Sequence, residues 1–83
     1  MLPEDREIQL QEQINKGQQA REALGAIRPW LEAQRQEIYK QMEDKANHDE
    51  TRLKYHLIAI REIERGLEAD IMTGQMAIKE FNS

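Results

Sequence analysis

The chain has 83 residues, no cysteine and a formal net charge of −4, so disulfide staples and thiolate metal sites are excluded. Its longest apolar run, Leu57-Ile58-Ala59-Ile60, is far short of the ~20 residues that span a bilayer. No basic block favours nonspecific attraction to DNA or anionic lipid.

Nine Gln, twelve Glu, eight Ala and no Val form a helix-forming composition. The expected fold class is all-α: an antiparallel helical hairpin preceded by a polar N-terminal helix, the whole a single small helical domain over residues 1–83. A chain of this size buries only about 60% of its unfolded surface. Two helices offer one buried seam, so completion by oligomerisation or a partner is expected. Met1-Leu2-Pro3-Glu4-Asp5 is acidic and lacks the basic and apolar regions of a signal peptide. The expectation is a soluble protein.

Pro3, Glu4 and Asp5 open a first helix predicted over about 4–24, with acidic groups matched to the positive end of its dipole. Its apolar residues are sparse: Ile8, Leu10, Ile14, Ala20, Ala23 and Leu24 stand among many glutamines. Gly17 sits mid-helix at a cost of about 1 kcal/mol relative to Ala. This segment is expected to dock on another subunit or partner, or to move freely. Gly25 and Pro29 bracket a predicted break, because Pro29 donates no backbone hydrogen bond and disfavours helical geometry at Arg28. A kinked continuous helix is the alternative.

A second helix is predicted over about 29–45, carrying Leu31, Ile38 and Met42 on one face, flanked by Trp30, Ala33, Gln34 and Tyr39. If the helix continues through the break, Ala20, Leu24 and Ile27 extend that line. The polar stretch Ala46-Asn47-His48-Asp49 breaks the helix. Asn47 and Glu50 stand in capping-box spacing, and Asp49 is the alternative cap. A third helix over about 49–72 bears Leu53, Leu57, Ile60, Ile63, Leu67 and Ile71, with a Glu50–Lys54 ion pair at its start. Thr73-Gly74 reads as its stop, leaving a short last helix over about 75–81 with Met76 and Phe81.

Chemistry-bearing constellations are thin. His48 and His56 lie too far apart to form the i,i+3 or i,i+4 pair of a zinc site. Glu64 and Glu68 share a face, yet the Glu-x-x-His pattern of di-iron bundles is missing. Ser83 is the only serine and is terminal, so no triad assembles. The expectation is a non-enzymatic protein with no cofactor, no metal site and no catalytic residue. Two sets of residues remain as binding candidates. Ile8, Leu10, Ile14, Trp30, Tyr39, Met76 and Phe81 are candidate interface residues. Trp30 reads first as a packing anchor beside the proline, then as an interface anchor of the kind aromatic hot spots supply. Arg21, Arg28, Arg61 and Arg65 are candidate phosphate ligands through guanidinium contacts. The alternative for these is a salt-bridged helix surface.

The motifs Gly17-Gln18-Gln19-Ala20, Leu24 with Pro29 and Leu31, Arg52 with Leu57, Leu67-Glu68 and Thr73-Gly74-Gln75-Met76-Ala77 together resemble a group of small helical proteins of tailed bacteriophages and prophages. The resemblance covers about residues 8–77 and rests on spacing and composition. It implies a phage setting, in the virion or the bacterial host cytoplasm, and transfers no functional residue. On this reading the chain is a virion assembly or structural component associated with a head, portal or neck. Its partners would be further copies of itself or other phage structural proteins. Nucleic acid is possible but not favoured, and no membrane is expected. The alternatives are an oligomeric counter-defence protein that sequesters a nucleotide signal, and a small DNA-packaging or regulatory factor.

Overall fold

The structure is a computed structural model that describes residues 3–44 and 49–83. Two helices, α1 (Glu4–Glu43) and α2 (Glu50–Phe81), pack side by side, antiparallel, as a rod of 64 × 20 × 15 Å. No strand occurs among the described residues. The all-α hairpin is therefore the fold, with fewer and longer helices than the local signals predict.

The expected break at Gly25–Pro29 does not form, and α1 runs through Pro29. An interior proline removes one helical hydrogen bond and crowds the carbonyl four residues back. Here that carbonyl belongs to Gly25. Gly25 and Pro29 are both exposed, so water can take the freed acceptor. Leu24 and Leu31, on either side of the proline, are buried in one core cluster with Ile38, Leu53 and Ile60. That packing holds the backbone helical across the proline.

The predicted stop at Thr73-Gly74 also fails, and α2 continues to Phe81 without a separate last helix. A glycine stop requires left-handed backbone, and no glycine here has positive φ. Gly74 instead meets Gly17. A Cβ built on Gly17 would lie 2.9 Å from the Gly74 Cα and 3.1 Å from the Asp70 carbonyl oxygen. A Cβ on Gly74 would lie 3.0 Å from the Gly17 Cα and 3.1 Å from the Gln13 carbonyl oxygen. The two helices touch backbone to backbone at this point, which only glycine permits.

The first twenty residues of α1 are thus packed on their own chain, contrary to the expectation of a free or partner-docked segment. Leu10, Gly17 and Ala20 are buried there with Gly74 and Ala77 of α2. Small residues let the helices approach closely, so little apolar bulk is needed to exclude water.

One pattern organises the entire seam. Leu10, Gly17, Leu24, Leu31 and Ile38 recur at intervals of seven, as do Leu53, Ile60, Leu67 and Gly74. A seven-residue repeat keeps one stripe facing a partner helix and winds the pair into a left-handed coil. With Gly17 level with Gly74, this repeat sets Leu24 level with Leu67, Leu31 with Ile60 and Ile38 with Leu53.

At the helix ends, Pro3 caps α1 and its carbonyl accepts from the Glu7 N–H at 3.0 Å. Glu4, Asp5 and Glu7 complement the positive end of α1, while Lys40 and Lys79 stand in the last turns of α1 and α2. Asp49 is the cap residue of α2, and its carboxylate pairs with Arg52 Nε at 3.0 Å. The expected Glu50–Lys54 pair is not among the ion pairs of the described residues. Lys45, Ala46, Asn47 and His48, with the Asn47 capping box and the end of the predicted 29–45 helix, lie outside the described residues.

Candidate functional site: the two flanks of the hairpin

A two-helix rod has a seam and two flanks, and here the flanks differ in chemistry. The first carries charge. Arg35 donates to Glu32 Oε2 at 2.8 Å and to the Glu64 carboxylate across the seam. The Glu64 hydrogen bond, then that of Glu32, raises the Arg35 pKa above its ordinary value. Hydrogen bonds from Gln36 and then from Arg35 hold the Glu32 carboxyl below the usual range.

Further along this flank the Gly17–Gly74 approach leaves a small hollow of about 80 Å³, lined by Ile14, Ile71 and Ile78 with Arg21 and Gln18 at its edge. Arg28 stands one heptad from Arg21, and Arg61 one turn before Glu64. Among the described residues, Arg21, Arg28 and Arg61 have no ion pair. Arg65 does not join them. It turns outward and lies 3.7 Å from Glu62.

The second flank has polar clamps at one end and almost no charge in the middle. Near the chain termini, Arg6 grips Glu80 with two bonds, Nε to Oε2 at 2.5 Å and Nη2 to Oε1 at 2.8 Å. The Arg6 hydrogen bond holds the Glu80 carboxyl below its usual range, and the Glu80 bond raises Arg6 in turn. Next to Gly17 on this flank, Lys16 lies 3.8 Å from Asp70. Beyond that pair, the flank of α1 is formed by Ala23, Ile27, Trp30, Ala33 and Gln34, and no charge appears until Glu37. The facing stretch of α2 contributes His56, Ala59, Ile63 and Gly66.

Trp30 is 59% exposed and Ile63 45% exposed on this flank. Between them lies a hollow of about 150 Å³, walled by Gln34, His56 and Ala59 and floored by Ile38 and Ile60. The reading of Trp30 as a packing anchor within its own chain is therefore corrected: it stands mid-helix and points outward. Ile63, expected in the α2 core stripe, also lies on the flank. Its place at the seam edge is taken by Glu64, held there by Arg35.

The remaining interface candidates divide. Leu10 is 1% exposed and buried inside the hairpin, so it cannot serve as an outward contact, because Ala77 and the Gly17–Gly74 approach bring α2 over it. Ile14 is half-buried at the edge of the Arg21 hollow. Ile8, Tyr39, Met76 and Phe81 are exposed, at separate places along the rod. Met76 borders the Arg6–Glu80 end. Among the described residues no group of three His, Cys, Asp or Glu gathers to hold a metal, and no helix is long and apolar enough to cross a membrane. His56 borders the Trp30 hollow; His48 lies outside the described residues.

Sequence reasoning missed the alanines and glycine that separate the large residues on this flank. Their signal was available in the spacing: Ala23, Trp30 and Glu37 form one heptad line, and Ala59 and Gly66 another. The Gly17–Gly74 pairing was legible only after both helices were known to be continuous. Compared with protein-family models, curated proteins and solved structures, the chain matches none.

Proposed function

We propose that this hairpin is a non-enzymatic assembly element, a structural or assembly component of a tailed-phage particle that works by presenting one flank to other protein subunits. The observation that carries this reading is the uncharged flank around Trp30. A large indole and an isoleucine stand exposed there beside a hollow floored by Ile38 and Ile60, and the residues that α1 places on this flank between Lys16 and Glu37 are uncharged. Exposed aromatic anchors on a patch depleted of charge are what protein interfaces use. The phage setting rests on the resemblance of the Gly17–Ala20, Leu24–Leu31 and Thr73–Ala77 motifs. Mass spectrometry of purified particles tests it. The protein is expected in the particles at a fixed ratio to a head, portal or neck protein, and its absence from them contradicts the structural role.

A second reading is favoured by a different observation: Arg21, Arg28 and Arg61 share a flank and have no acidic partner within ion-pair distance among the described residues. On this reading the charged flank binds a phosphate-bearing ligand, a nucleotide signal or DNA. Calorimetric titration with cyclic nucleotides gives heat if the first holds. DNA affinity falling steeply with salt marks the second. The absence of both removes the reading.

A further inference from the structure

We infer that the occupant of the Trp30 flank is a second copy of this chain, laid antiparallel about one twofold axis that passes level with the Ala26–Ile27 step. The inference rests on the assembly reading above and names its first partner. Three features of the flank select this occupant.

The first is charge. On the heptad line of α1 that carries Ala23 and Trp30, the neighbours on either side are Lys16 and Glu37. Two copies of this line laid parallel set like charges together. Laid antiparallel, they set Lys16 against Glu37 of the second copy at both ends. A closed twofold pairing of one self-complementary surface is the commonest form of homo-oligomer.

The second is bulk. The axis that pairs Lys16 with Glu37 also sets Trp30 against Ala23 of the second copy, a large residue on a small one. Taking Gly17 and Gly74 as level, the same axis crosses α2 at the Glu64–Arg65 step. It then sets Ile63 against Gly66 of the second copy. A Cβ added at Gly66 has nothing within 4 Å in the single hairpin, so the space above it is open to that isoleucine. The matches on α1 and α2 use different residues and require the same axis.

The third is area. Lys16 to Glu37 is about 30 Å of helix at ~1.5 Å per residue, and the rod is 20 Å wide. The contact is then ~600 Å² per copy, about 1,200 Å² in total, at the lower bound of specific interfaces. The product is an antiparallel four-helix bundle. It covers the Trp30 hollow, which the single hairpin leaves open.

The test combines solution mass with thiol pairing. Sedimentation equilibrium of the full chain is expected to give twice the 9.8 kDa of the single chain. Trp30→Ala is expected to shift it to the single mass with its helical circular dichroism retained, since Trp30 packs mainly outside its own hairpin. The chain has no cysteine, so Lys16→Cys with Glu37→Cys in one chain reports the register. At micromolar protein it is expected to oxidise to a covalent dimer on the order of tenfold or more faster than either single variant, because the paired thiols meet at ~mM effective concentration. A wild-type chain that stays at the single mass overturns the inference; its presence in particles would then leave the assembly role standing with another partner. A dimer whose double variant oxidises no faster than the single variants overturns the register.

Discussion

The two halves of the hairpin use one seven-residue repeat in opposite ways. In the half nearer the connection, Leu24, Leu31, Ile38, Leu53 and Ile60 fill the seam with branched side chains. In the half nearer the termini, Gly17 and Gly74 take the same repeat positions, and Ala20 and Ala77 stand beside them. There the backbones themselves form the contact. Leu10 closes that half as tightly as Leu31 closes the other, each 1% exposed. Apolar content therefore does not measure packing. A segment poor in Leu and Ile is held as closely as a rich one when its small residues coincide across the seam.

Substitutions separate the two modes. The largest effect is expected from Leu31→Ala, which empties a filled site and should cost about 2–5 kcal/mol, read from the urea midpoint. Next is Pro29→Ala. An interior helical proline is disfavoured by up to ~3 kcal/mol, so the continuous α1 should gain stability on its removal. A broken helix using Pro29 at its first position would gain almost nothing. Gly17→Ala probes the other half. Its Cβ would press on the Gly74 Cα and the Asp70 carbonyl, backbone atoms that cannot turn away. Overpacking of about 1–3 kcal/mol outweighs the helix-propensity gain of ~1 kcal/mol, so thermal unfolding should fall to lower temperature. Gly25→Ala meets nothing within 4 Å and should stabilise by about 0.4–1 kcal/mol. Opposite signs for the two glycines would confirm that position, rather than residue type, decides.

The smallest effect is expected from pH. The Glu80 carboxyl lies below its ordinary value of 4.5 because Arg6 hydrogen-bonds its charged form. A lowered folded-state value means that its stabilisation is complete above the unfolded-state value and is lost as pH falls through the lower folded one. Glu32 acts in the same direction through Gln36 and Arg35. Both are surface groups, so the expected loss is slight. Arg6→Gln should flatten the Glu80 part of the acid limb in a denaturation series from neutral pH to below 4.5.

Much of the fold was legible in the sequence. The all-α class, the hairpin and the core positions Leu31, Ile38, Leu53 and Ile60 follow from composition and from spacings of three and four. Helix continuity was not legible from local signals. Pro29 and Gly74 each carry a strong local preference for a break, and tertiary packing overrides both. At Pro29 the core residues on either side hold the register. At Gly74 the missing side chain serves contact with Gly17, a purpose visible only when the two segments face each other. The flank was partly legible: Trp30 reads as a candidate anchor from its residue type, while Ala23, Ala59 and Gly66 show only through their seven-residue spacing, which has meaning once both helices run unbroken. The arginines divided because Arg65 points away from the flank that Arg21, Arg28 and Arg61 share.

The central claim is that residues 4–24 are folded onto 67–81 of their own chain through the glycine contact, leaving the Trp30 flank exposed. Amide hydrogen exchange on the Trp30→Ala variant, where a second copy does not contribute, tests it most directly. The account predicts protection at Gly17, Ala20 and Leu24 similar to that at Leu31 and Ile38. Exchange at Gly17 and Ala20 at the rate of an isolated helix, with Leu31 and Ile38 still protected, would contradict it.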